Sequence, residues 1–149
     1  MAVSVDIQIA SRSQHIPGNT ALEHWAAIAV GTHKSNAEIS LRIVDKEESQ
    51  ALNNQYRGKD KPTNVLSFPA EFPAEVDIPF LGDLVICAPI VEQEAQTQQK
   101  SIDVHWAHMV IHGTLHLLGY DHIEDSEAEQ MEALEIQLLA SMEYPNPYQ

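Results

Sequence analysis

Residues 103–118 constrain the fold of this chain more than any other stretch. Trp106, Val110 and Leu117 fill one face of a helix here, and Met109, Ile111, Leu115 and Leu118 fill most of the rest. A helix that is apolar nearly all round cannot lie on a surface, so it must run through the centre of the molecule with other elements packed about it. The exception is a stripe at helical spacing, His105, His108, His112 and His116.

His112 and His116 are four residues apart, about one turn, so their ring nitrogens share a face and can converge on one cation. Gly119 follows three residues later, where a left-handed residue can end the helix and turn the chain back, delivering His122 as a third donor. Three neutral imidazoles suit zinc, and three protein ligands leave a fourth position for water or substrate, which implies catalysis rather than scaffolding. With eight histidines in 149 residues, this triple spacing arises by accident about 0.02 times per chain, and about one time in a thousand with the glycine as well. His108, one turn before His112, suits a supporting place beside the ligands better than a ligand's, because His122 is the better-spaced donor. His105 is expected to face solvent, as are His15, His24 and His33.

Around this helix the chain alternates strands and helices. Val3, Val5, Ile7 and Ile9 alternate with polar neighbours as a half-buried strand, and helical spacing runs from Thr20 to Gly31. Ile39, Leu41 and Ile43 make a second strand, ending at Asp45, which with Glu48 forms a capping box for a helix reaching about Gln55. Thr63 to Phe68 reads as a short strand stopped by Pro69, and residues 70–80 as a loop. Leu84 to Cys87 reads as a buried strand, followed by a polar helix from Pro89 through Gln99. The histidine helix starts near Asp103, a candidate N-cap, and a last amphipathic helix runs from a second capping box at Ser126 and Glu129 to about Met142. The expectation is one α/β domain spanning residues 1–149, with a small, mostly parallel mixed sheet of about four strands, about five helices, and the histidine helix buried at its centre.

Eight Lys and Arg against 22 Asp and Glu give a formal charge of −14. That excludes whole-surface attraction to nucleic acid or anionic membrane, so any polyanion must be met locally. Three of the eight cations, Arg57, Lys59 and Lys61, fall within five residues of an exposed, breaker-rich loop over 56–62. Such a run is ordinarily just a solvated loop, yet loops held by rigid neighbours often carry function. Cys87 stands alone and reads as a small buried apolar residue in a strand. With no basic start before an apolar run, and no apolar stretch near the roughly eighteen residues of a membrane span, a soluble, cytoplasmic protein is expected.

The spacing HxxxHxxGxxH matches the zinc signature of the metzincin proteases with one departure: their glutamate after the first histidine, the general base, is Gly113 here. Asp121 and Glu124 are nearby acids that could take over its proton or orient a histidine. Phosphodiester chemistry asks for different help. Its transition state gathers negative charge that a zinc ion and a guanidinium stabilise together, and RNA brings a 2′-hydroxyl as a nucleophile. Arg57 is the cation best placed for this, since a guanidinium holds a phosphate in a bidentate way that lysine cannot.

Three blocks carry a family resemblance: YRGKDKPTNVLSFP over 56–69, LGDLVI over 81–86 and HWAHMVIHGTLHLLGYDH over 105–122. Together they resemble the bacterial YbeY family, metal-dependent endoribonucleases of ribosomal RNA maturation, over roughly residues 37 to 140. The last block is the most diagnostic, because it holds the three histidines, the glycine and the missing glutamate together. The resemblance implies one zinc ion per chain on His112, His116 and His122, and Arg57 important for cleaving single-stranded RNA; Lys59 and Lys61, in the same basic run, are expected to bind substrate beside it. It also implies processing of the 3′ end of 16S ribosomal RNA, ribosome quality control, and partners among ribosome-assembly proteins, including a small-subunit protein and an assembly GTPase. Two other readings stand beside it: a metzincin-like zinc hydrolase acting on peptides, and a non-enzymatic assembly factor with a structural zinc.

Overall fold

A computed structural model describes residues 2–31, 33–34, 36–72, 78–121 and 123–149. Strand β1 (Ala2–Ala10) leads into α1 (Asn19–Val30) and β2 (Asn36–Val44), and α2 (Lys46–Arg57) is followed by β3 (Val65–Pro69) and β4 (Phe80–Cys87). Three helices complete the chain: α3 (Ala88–Thr97), α4 (Ile102–Leu117) and α5 (Asp125–Ala140). The strands form a mixed sheet in the order β1-β2-β4-β3, with the first two pairings parallel and β3 antiparallel to β4.

The period-two pattern of β2 decides how the layers form. Ala37, Ile39, Leu41 and Ile43 are buried and join the main core with Leu84 and Ile86 of β4, Trp25 of α1 and Trp106 of α4. The opposite sheet face makes a smaller cluster, Val44, Leu66, Val85 and Cys87, covered by Leu52 of α2 and by Ile90. Cys87 is buried there, as a small strand residue should be. Ile9 departs from expectation at 56% exposed. β1 is an edge strand, and among its alternating residues Val3, Val5 and Ile7 pack on the main core.

α4 is central: α1, α3, α5 and the strands β3 and β4 all pack against it. It begins at Ile102 after Ser101, so Asp103 sits in the first turn rather than at the cap. Both expected capping boxes fail as hydrogen-bonded caps. Asp45 occupies the N-cap of α2 but its carboxylate accepts instead from Ser11 Oγ (2.5 Å) and Arg12 N (3.1 Å), and Glu48 pairs with Arg42 at 2.5 Å. α5 begins at Asp125 behind Glu124, one residue before Ser126. In both cases a partner distant in sequence, or one more helical residue, displaces the local pattern. β4 starts at Phe80, four residues before the apolar run, because Phe80 and Gly82 pair with β2 across a register shift. α2 continues to Arg57, which therefore ends a helix rather than opening the loop.

Candidate metal centre and basic loop

Burial along α4 sets the site. From His105 to Leu117 every residue is buried except His112 and His116. Their rings lie edge to face with centroids 4.7 Å apart, as the four-residue spacing requires. Gly119 takes φ +105°, a conformation that favours glycine, and turns the chain away immediately after the helix. The next residue, Tyr120, is tied to the end of α1 by a 2.7 Å hydrogen bond to His33 Nε2. Asp121 is half-buried and Glu124 exposed. The expected third donor, His122, lies outside the described residues.

On its inner side His112 meets a network that the sequence did not announce. Glu135 of α5 is fully buried, and its Oε1 lies 2.6 Å from His108 Nε2, 3.2 Å from His112 Nδ1 and 3.0 Å from the hydroxyl of Tyr148. Burial opposes charge on Glu135, but the hydrogen bonds from His108 and His112 outweigh it and hold the carboxyl at about 2. Burial also lowers His108, more strongly than Glu135 raises it, so His108 is a neutral donor. The same burial, with the Glu135 charge alongside, pushes the Tyr148 phenol well up, leaving it protonated. Glu135 Oε2 is buried with no hydrogen-bond partner, and among the described residues no lysine or arginine pairs with this carboxylate.

His108, His112 and Glu135 bring ligand atoms within 4.8 Å of one another and could hold a metal ion. The donor set fits one chemically: two imidazoles, and a buried anion with an orphaned oxygen and, among the described residues, no lysine or arginine to balance it.

His105 does not face solvent. It is 3% exposed, and its Nε2 lies 2.8 Å from Glu94 Oε1 because α3 packs over that turn of α4. Burial disfavours charge on Glu94, but His105 and Asn64 hold its carboxyl below the usual range. His15, His24 and His33 are exposed, as expected.

Arg57, Lys59 and Lys61 are all exposed, and none enters an ion pair among the described residues. The loop that carries them is fixed from below. Gly58 closes α2 in the left-handed conformation, Asn53 Nδ2 donates to Lys61 O (2.8 Å), Gln50 Nε2 to Asp60 Oδ1 (2.9 Å), and the Ser49 hydroxyl both donates to and accepts from the Thr63 backbone at 2.9 Å. The chain then enters β3, whose Ser67 Oγ donates to Gly113 O at 3.1 Å, beside His112.

Sequence reasoning missed Glu135 and Tyr148. A signal for Glu135 was present: it sits midway between Met131 and Leu139, the two other buried residues of α5, so an acid interrupts an apolar stripe. Tyr148 follows two prolines at the end of regular structure and gave none.

Comparison with known proteins places these features. A family model described as Endoribonuclease YbeY matches residues 7–143. The solution structure of TM1509 from Thermotoga maritima superimposes with a TM-score of 0.57 at 28% identity, covering 92% of this chain and 91% of that one.

Proposed function

From the premise that the chain belongs to the YbeY endoribonuclease family, we propose that it is a zinc-dependent enzyme that cleaves single-stranded RNA, with His112, His116 and His122 holding the metal. The observation that carries this reading is that His112 and His116 alone are half-buried within an otherwise buried run of α4. Burial elsewhere on that run needs no histidine at these two places, whereas an ion with an open position needs donors that reach both core and solvent.

When bound, zinc supplies a fixed positive charge and Lewis acidity beside the phosphoryl group. The remaining work falls to the protein. Arg57 grips a phosphate through its planar guanidinium and offsets charge as it gathers on the phosphoryl oxygens. Lys59 and Lys61 hold the flanking backbone, on a loop whose anchoring by Ser49, Gln50 and Asn53 keeps the three cations in fixed relation. Tyr56, 59% exposed and edge-on to Phe68, offers a base a stacking face beside them. The substrate is ribosomal RNA, with the 3′ end of 16S RNA as the processing site, in the cytoplasm. A small-subunit protein and an assembly GTPase act alongside the enzyme, in ribosome maturation and quality control.

The peptidase reading is disfavoured by position 113. Gly113 is packed against Leu84 and Val65 of the sheet, so a glutamate there would point into the core and away from the outer edge of α4. The assembly-factor reading predicts intact RNA with or without metal. The deciding experiment incubates defined 16S precursors with metal-replete protein and with a His116→Ala variant. New 3′ ends with the parent and none with the variant are expected. RNA left intact by both would overturn the enzymatic reading.

A further inference from the structure

Glu135 satisfies more than a packing need. Its Oε1 collects three donors, His108 Nε2, His112 Nδ1 and the Tyr148 hydroxyl, which approach from two successive turns of α4 and from the C-terminal segment. The 2.6 to 3.2 Å separations are hydrogen-bond lengths. For His112 to donate from Nδ1, that nitrogen must carry the proton, and in the neutral ring the lone pair that can ligate is then on Nε2. A histidine that ligates a metal commonly gives its other N–H to a carboxylate, which fixes the tautomer, the ring plane and the basicity of the ligating nitrogen.

We propose that Glu135 is the positioning residue of the metal centre: it holds His112 in the Nδ1–H tautomer with Nε2 aimed outward at the ion, while His108 and Tyr148 hold Glu135 in place. This rests on the assignment of His112 and His116 as ligands. It gives His108 a supporting task and the C-terminal segment a mechanical one, since Lys100 Nζ donates to Pro147 O at 2.8 Å and so pins the chain next to Tyr148. It also accounts for a full carboxylate at a fully buried position, where a leucine would otherwise continue the stripe of Met131 and Leu139.

The test has two readouts that do not depend on catalysis. In the metal-free parent at pH 8, 15N NMR of the histidine rings should show His112 protonated at Nδ1; a ring protonated at Nε2 would overturn the proposal without any variant being made. Zinc affinity by competition with a chromophoric chelator should fall about 10–100-fold in Glu135→Gln, with the His112 tautomer no longer single. A purely structural carboxylate would lower thermal stability alone, so parental affinity and an unchanged tautomer in Glu135→Gln would overturn the proposal. His116→Ala keeps the two readings apart. Zinc lost there but held normally by Glu135→Gln overturns only the role of Glu135. Zinc retained there at parental affinity overturns the ligand assignment and this inference together.

Discussion

A β-carbon on Gly113 would lie 2.8 Å from Leu84 Cδ2 and 3.1 Å from Val65 Cγ2, both ends of side chains that can give a little. One on Gly82 would lie 2.3 Å from Phe68 O and 2.9 Å from Ala70 N, backbone atoms of the paired strand and of the residue that follows it, at φ +142°. Gly113→Ala should therefore cost about 1–3 kcal/mol, and Gly82→Ala more, in urea unfolding. Equal losses would mean that the β3–β4 pairing yields as easily as the Leu84 side chain. Arg57→Ala should leave zinc content and unfolding midpoint at parental values while lowering RNA cleavage by about 10²–10³-fold, the scale of one lost charge-stabilising donor; cutting at the parental rate would remove Arg57 from the mechanism. At this scale the sequence was informative where chemistry leaves a local pattern. Four-residue spacing brought His112 and His116 together and Gly119 turned the chain, all within one stretch. Glu135 is recruited from α5, 23 residues after His112, and no local pattern records a contact made by packing.

Between elements, the α4–α5 interface couples stability to pH. Glu135, with its carboxyl held at about 2 against an ordinary 4.5, contributes stability that is complete above that ordinary value and is lost as pH falls toward 2. His108 acts in the same direction: burial lowers it from 6.5, so the unfolded chain takes up a proton first and stability declines as pH drops below 6.5. Metal-free protein should therefore lose stability in two stages on acidification, and the lower one should be smaller in Glu135→Gln, with Glu94, Asp45 and Glu48 supplying the remainder. A parent profile flat from pH 6.5 to 3 would contradict this. The strands and helices themselves were legible because period two and period 3.6 are written in the residues that face the core. Their ends were less so: Asp45 and Glu48 form the pattern of a capping box, but Ser11, Arg12 and Arg42 compete for the same carboxylates. His105 was misjudged for the same reason, since only the arrival of α3 buries it and supplies Glu94.

At the scale of the whole molecule, a charge of −14 makes the surface as a whole repel RNA, so the proposed substrate must be met by a small cationic area. If Arg57, Lys59 and Lys61 make the phosphate contacts, log affinity for single-stranded RNA should fall with log salt at a slope of about −2, at roughly 0.7 per contact. A slope of −5 or steeper would require cations elsewhere. The four-stranded, mostly parallel sheet, the central position of α4 and the family membership agree with what the sequence implied, because an all-round apolar helix has few places to go. The completeness of the metal centre is the claim on which the enzyme reading turns. X-ray absorption at the zinc edge of the loaded protein tests it most directly. Three imidazole nitrogens and one oxygen are predicted, with one imidazole lost in His122→Ala; four protein donors with no open position, or an unchanged spectrum in that variant, would contradict it.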